Sequence, residues 1–295
     1  MTQHQMTLFR RGISPDFMEW LGNSSGRRLL GLCDRFQLDV RLRNDYLNAY
    51  RAQSSVARVE WQIRKGCPRI QIDRAYLERT RLLQDDKKIQ KFDVSDEFLN
   101  LYEQDLPRIR STVDKQYASP EGEWEARCVR ANLKRATFQI VDRQIVNSRP
   151  PLRLDVMAIS TEGDRPVILA TELKRDLDSR IQHVPDQLAG YLDMLDPGGK
   201  GLREDVAISY RLVCEQLLKL GRAAPDPGLV QPGMNVIGLV ALANYNPKSA
   251  LLGRALEKAG TVDRRIHFCF LGTNGVVPPS SRWFVAARSW AGNIT

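Results

Sequence analysis

Two carboxylates and one ammonium group draw attention because each belongs to a segment that otherwise has the character of a buried strand. Asp155 lies inside the apolar stretch 152–159, and Glu172-Leu173-Lys174 closes the next apolar stretch, 166–171. Both stretches are rich in β-branched residues and bounded by turn residues, as short strands are. Glu172 and Lys174 are two positions apart, so they point to the same face of a strand. If the neighbouring strand brings Asp155 alongside, the three groups suit a hard divalent cation together with a proton-handling or Lewis-acid role.

This pattern resembles the core signature of the PD-(D/E)xK nuclease superfamily, whose leading proline is often replaced, as by Leu154 here. A predicted helix after the Glu-x-Lys carries Gln187-Leu188-Ala189-Gly190-Tyr191, which is similar to the Gln-x-x-x-Tyr element of many members. The resemblance covers roughly residues 113–275. It implies an α/β fold with a restriction-endonuclease-like core, in which helices flank a mixed central sheet.

The resemblance also implies an activity, the metal-dependent hydrolysis of phosphodiester bonds. Asp155 and Glu172 would be carboxylate ligands and the main-chain carbonyl of Leu173 a third, which suits Mg²⁺, with Mn²⁺ as a substitute. Lys174 would orient or help to deprotonate the attacking water, or stabilise charge on phosphorus. Gln187 would help to position the site, with Tyr191 close by.

A further acidic ligand is often placed by such enzymes on the helix before the first strand. Ser119 and Pro120 predict the N-cap and first residue of a helix whose first turns contain Glu121, Glu123 and Glu125. Helical geometry puts Glu125 beside the apolar face, so we prefer it as the additional metal ligand. The alternative is that these glutamates only complement the helix dipole on an exposed turn.

The N-terminal part of the chain predicts a separate module. We assign residues 1–112 to a smaller α+β domain and residues 113–295 to the nuclease-like domain. Alternating segments at 36–42, 55–63 and 69–73 predict an antiparallel sheet with one face in water. Helices are predicted at 74–84 and 95–110.

The water-facing side of that sheet would carry Arg41, Arg43, Arg58 and Arg69. Such a face would contact phosphates or would only be solvated, and the sequence leaves both interpretations open. The module would select the substrate, bind a protein partner or join two copies of the chain as a homodimer.

The totals favour a nucleic acid as partner. The formal net charge is +9 and the isoelectric point is near 9.5, and excess positive charge attracts polyanions. Five cysteines without a Cys-x-x-Cys pair predict free thiols and a cytoplasmic location. Residues 1–6 are polar and no apolar h-region follows them, so neither a signal peptide nor a membrane partner is expected.

The sequence therefore predicts a Mg²⁺-dependent deoxyribonuclease. Two alternatives stay open: a catalytically silent module of the same fold that binds nucleic acid or a protein, and an enzyme that cleaves RNA.

Overall fold

Two compact units, each built around a five-stranded sheet, make up the computed structural model of this protein, so the chain is mixed α/β. The model describes residues 9–117, 119–133, 135–148, 151–175 and 178–284. The first unit contains the described residues up to Gly122 together with Glu215–Arg222, and the second contains Glu123–Cys214 and the described residues from Ala223 onwards. The predicted polar start at residues 1–6 lies outside the described residues.

The first unit is an antiparallel meander with helices before and after it. Its elements are α1 (Pro15–Gly22), α2 (Ser24–Arg35), β1 (Asp39–Leu42), β2 (Tyr46–Arg51), β3 (Ser54–Gln62), β4 (Cys67–Asp73), β5 (Ile89–Asp93) and α3 (Asp96–Thr112), followed by a π-helical turn, Val113–Tyr117. The strands lie side by side in chain order, and all four pairings are antiparallel. The predicted antiparallel sheet is thus confirmed.

The predicted basic face of that sheet is only partly exposed. Arg41 and Arg43 are 3% and 2% exposed, so the prediction that they face water is wrong. Arg41 is paired with Asp39, and Arg43 donates to the Tyr50 hydroxyl at 3.4 Å. Burying a guanidinium is tolerable only when it gains such partners, and residue alternation alone cannot show that they exist.

The helix predicted at 74–84 is also wrong. Only a single 3₁₀ turn forms there, at Arg74–Tyr76. Arg79 has a left-handed φ of 64°, which a helix cannot accommodate. The amides of Arg81 and Leu82 donate instead to the Asp105 carboxylate of α3.

The second unit places helices on both faces of a mixed sheet. Its elements are α4 (Pro120–Asn132), β6 (Phe138–Ser148), β7 (Pro151–Ser160), β8 (Val167–Arg175), α5 (Val184–Leu195), α6 (Glu204–Lys219), β9 (Val236–Ala243), α7 (Ala250–Val262) and β10 (Ile266–Phe270); α4 and α6 cross the boundary between the units. The spatial order is β10-β9-β8-β7-β6, in which β6-β7-β8 are antiparallel and β8-β9-β10 are parallel.

Strand β8 lies at the centre of this sheet and is buried on both sides. On one face Leu169 and Leu173 join Val156 in the core cluster that includes Trp124 and Cys128 of α4. On the other face lie the alternate residues of β7 and β8, and α5 packs against both strands. Among the described residues, no helix is long and apolar enough to cross a membrane.

Candidate active site

The candidate site lies where β7 and β8 stop pairing. Val156 pairs with Thr171 in the last antiparallel pair, so Asp155 and Glu172 occupy the next position on each strand. Both alternate with residues of the α4-side core and therefore point towards α5. Asp155 is 6% and Glu172 2% exposed.

Lys174 completes the cluster that the sequence predicted. Its ammonium donates to Glu172 Oε2 at 3.2 Å and to the main-chain oxygen of Leu173 at 2.9 Å. Asp155 Oδ2 accepts the Leu173 amide at 2.9 Å. The structure therefore brings together all three predicted side chains and the predicted main-chain oxygen.

The cluster keeps the proton of Glu172 unusually tightly. Burial, and then the nearby Asp155 carboxylate, raise the pKa of Glu172 to about 8, against the opposing effect of the Lys174 ammonium. The Lys174 ammonium does not offset the combined effect of burial and of the Asp155 carboxylate on Glu172. The arrangement consequently favours the arrival of a proton or of a further cation.

Helix α5 supports the cluster from the side. Gln187 donates to Glu172 Oε1 at 3.0 Å and to the main-chain oxygen of Arg153 at 3.1 Å. Tyr191, one turn later, is fully buried. Burial and the Glu172 carboxylate raise the pKa of its hydroxyl, whereas the Arg153 guanidinium opposes them. Gln187 thus contacts the cluster directly, and Tyr191 lies within its electrostatic reach.

Glu125 occupies a different environment from the other predicted residues. It is fully buried on α4, which packs on the opposite face of the sheet, and its Oε1 accepts from Arg143 Nε at 2.7 Å. Its Oε2 accepts from the side chain of Gln144. These contacts exclude the alternative that Glu125 lies on an exposed turn. Its role as a metal ligand stays a prediction.

Two side chains near the cluster were not found from the sequence. Arg153 lies two positions before Asp155, and its guanidinium donates to Gln144 Oε1 through both Nε and Nη2. The spacing of two residues could have indicated Arg153, because it puts both side chains on one face of β7. No sequence signal indicates Gln144, which has an unusual left-handed φ of 50°.

A bulge in β6 determines which residue stands across from Asp155. The register shifts between Ile140 and Asp142, after which Arg143 pairs with Val156 and Ile145 with Leu154. Gln144 is therefore the residue opposite Asp155. Arg143 lies on the α4 side of the sheet, where it forms an ion pair with Glu125 at 2.6 Å.

The donors that a metal ion would meet here are oxygen atoms, those of the Asp155 and Glu172 carboxylates and of the Leu173 carbonyl. In the described part of the chain, no group of three or more His, Cys, Asp or Glu side chains could hold a metal ion. Mg²⁺ needs few protein ligands, because it prefers oxygen and retains several waters. The Lys174 ammonium shows that Glu172 and the Leu173 carbonyl already converge on a positive charge.

Replacing Glu125 should destabilise the second unit. We expect Glu125→Ala to lower the free energy of unfolding by about 3–5 kcal/mol, because it leaves the Arg143 guanidinium buried without its carboxylate. Urea denaturation measures this loss. The matched control is Glu123→Ala, since Glu123 is exposed on the same helix and its removal should change stability by less than about 0.5 kcal/mol. Equal stabilities of the two variants would contradict the structural role of Glu125.

The raised pKa of Glu172 should make metal-free protein less stable as the pH rises. Between its ordinary value of 4.5 and about 8, the folded state keeps a proton that the unfolded state has lost. Stability should therefore fall over this window by up to about 1.4 kcal/mol per pH unit. Glu172→Gln does not titrate, so its stability relative to wild type should increase from pH 5 to pH 8.

Denaturation in the presence of a chelator at both pH values tests this prediction, with Glu123→Gln as a control that should follow wild type. If the stabilities of Glu172→Gln and wild type change in parallel from pH 5 to pH 8, Glu172 does not hold its proton in the folded protein.

Comparison with known proteins adds no relative. No protein-family model, no curated protein and no solved structure matches this chain.

Proposed function

We propose that this chain is a metal-dependent nuclease that hydrolyses phosphodiester bonds, with DNA as its substrate. The observation that carries the proposal is the convergence of Asp155, Glu172, Lys174 and the Leu173 carbonyl at the point where β7 and β8 part. A buried group of this composition has little value for stability, because two like charges taken out of water repel each other. Strongly perturbed carboxyl groups of this kind are typical of functional sites.

The order of the elements supports the same proposal. A helix, three antiparallel strands, a helix and a fourth strand parallel to the third follow one another as α4, β6, β7, β8, α5 and β9, with α6 inserted before β9. This is the order that the resemblance to PD-(D/E)xK nucleases implies. We therefore propose a restriction-endonuclease-like core for the second unit.

Mg²⁺, with Mn²⁺ as a substitute, would be held by the carboxylates of Asp155 and Glu172 and by the Leu173 carbonyl. When bound, the metal supplies positive charge that activates water and neutralises the phosphate. The same charge favours the ionised form of Glu172, whose pKa is about 8 in the metal-free protein. Metal binding should consequently release a proton near neutral pH.

Lys174 and Gln187 would have separate roles beside the metal. Lys174 donates hydrogen bonds to Glu172 Oε2 and the Leu173 carbonyl oxygen, the two oxygens that a metal would contact. Its flexible side chain allows the ammonium to turn towards the substrate. There it would orient the attacking water or stabilise charge on the phosphate. Gln187 acts as a positioning residue, because its bond to Oε1 fixes the direction of the Glu172 carboxylate.

Charge favours a nucleic acid as the substrate, since the chain carries a net +9. Positive charge neutralises phosphates and releases their counterions, which supplies affinity for any nucleic acid. The cleavage assays below compare DNA and RNA directly.

Cleavage assays with end-labelled duplex DNA, single-stranded DNA and RNA in Mg²⁺ or Mn²⁺ test the proposal. We expect wild type to cut DNA only with metal, and Asp155→Ala, Glu172→Ala and Lys174→Ala each to lose more than about 10³-fold in rate. Gln187→Ala should lose about 10–100-fold, as is usual for residues that orient a ligand.

The matched control for the lysine is Lys200→Ala, because Lys200 is exposed in the loop after the C-terminal end of α5, whereas Gln187 of the site lies near the N-terminal end, so this variant should behave as wild type. Full activity in a folded Glu172→Ala variant would disprove the site. Cleavage of RNA but not of DNA would show that the substrate is RNA. Binding of DNA without cleavage of any substrate would identify a catalytically silent module.

A further inference from the structure

Arg153 is an exposed cation at the edge of the carboxylate cluster. It lies on β7 two residues before Asp155, so the two side chains share the face that looks towards α5. Its charge acts on the hydroxyl of Tyr191, as do the charges of Glu172 and Asp155. An arginine beside two carboxylates would ordinarily form an ion pair with one of them. The side-chain bonds described for this guanidinium go instead to a neutral amide, that of Gln144.

Two glutamines hold Arg153 in place at both of its ends. Gln187, which also bonds Glu172, donates to the main-chain oxygen of Arg153 at 3.1 Å. Gln144 Oε1 accepts from Nε at 2.8 Å and also from Nη2. The main chain and the guanidinium are thus both tied to the residues that surround the cluster.

Gln144 has an unfavourable backbone conformation at the position where it makes this contact. A left-handed φ of 50° is rare outside glycine, asparagine and aspartate, and residues held in such regions cost about 1–3 kcal/mol. Gln144 is 6% exposed, and its carboxamide spans two charged groups, because Oε1 accepts from Arg153 and Nε2 donates to Glu125. The buried Glu125–Arg143 pair therefore anchors Gln144, which in turn anchors Arg153.

From this geometry we infer that Arg153 is the phosphate-binding arginine of the site and a catalytic residue that contacts the phosphate being cleaved. The inference rests on the proposed function. A guanidinium suits this role because it is always charged and presents several N–H donors in one plane to phosphate oxygens. Nε and one Nη2 hydrogen of Arg153 are bonded to a neutral amide, which does not neutralise the guanidinium charge. This charge can therefore stabilise the negative charge of the phosphate while a nucleophile adds to the phosphorus. Gln144 is a positioning residue in this arrangement.

The first test counts phosphate contacts without any cleavage. Binding of wild type and Arg153→Gln to duplex DNA is measured in Ca²⁺ over a range of salt concentrations. Loss of one phosphate contact should make the slope of log K against log salt shallower by about 0.9, and Arg153→Lys should restore it because it keeps the charge. Calorimetry with Mg²⁺ alone should give the same affinity for wild type and Arg153→Gln, since the proposed metal ligands are unchanged.

The second test uses the rate. In Mg²⁺, kcat/KM of Arg153→Gln should fall by about 10²–10³-fold, and Arg153→Lys should recover only part of it, because an ammonium cannot reproduce the planar fork. Gln144→Ala should keep the salt slope but lower kcat, because the charge remains while its position is lost. The matched control is Arg165→Gln, since Arg165 is exposed in the turn at the opposite end of β7 and β8.

The outcomes separate this inference from the proposed function. Wild-type cleavage together with an Arg153→Gln variant whose salt slope and kcat/KM equal those of Arg165→Gln would overturn the role of Arg153 and leave the nuclease intact. A lower Mg²⁺ affinity for Arg153→Gln at unchanged salt slope would also overturn it, because Arg153 would then only support the ligands. If the wild-type protein neither binds nor cleaves DNA, the proposed function is disproved, and so is the role of Arg153.

Discussion

The second unit depends on one unfavourable contact, the burial of two carboxyl groups side by side at the ends of β7 and β8. Taking each charge out of water is costly, and their repulsion adds to the cost. Among the contacts of the described residues, hydrogen bonds from the Leu173 amide, the Lys174 ammonium and the Gln187 side chain offset part of this cost. The compensation is incomplete, as the raised pKa of Glu172 shows. The apolar sheet and its two layers of helices supply the stability that this arrangement lacks.

Much of this cluster could be predicted from the sequence, because its members follow a local rule. Residues two apart on a strand share a face, which places Glu172 beside Lys174, and two successive apolar strands favour a hairpin that brings Asp155 alongside. The contacts of Glu125 could not be predicted. Helical periodicity shows only that its side chain turns inward, and says nothing about which residue of a neighbouring strand meets it there.

The first unit shows where local patterns stop being informative. Segments with alternating apolar and polar residues were identified as strands, but β2, which is buried at four successive positions, was not predicted. Helices α1 and α2 and strand β5 were also missed. The helix expected at 74–84 does not form, because the amides of Arg81 and Leu82 donate instead to Asp105, 23–24 residues away, and only tertiary structure creates that pairing. Burial of Arg41 and Arg43 has the same origin, since their partners decide it.

The bulge in β6 has a consequence for how the site tolerates changes in chain length. Ile140 pairs with Ala158 before the shift, and Arg143 pairs with Val156 after it, so β6 contains one residue more than β7 across this stretch. If all residues of β6 were kept but paired without this shift, Arg143 rather than Gln144 would stand opposite Asp155. A guanidinium there would neutralise the carboxylate and occupy its oxygens. Deleting the extra residue of the bulge would leave Gln144 opposite Asp155, because the pairs on both sides of the bulge would stay the same. Changes in the length of the β7–β8 turn, at the far end of both strands, likewise leave the register at Asp155 intact.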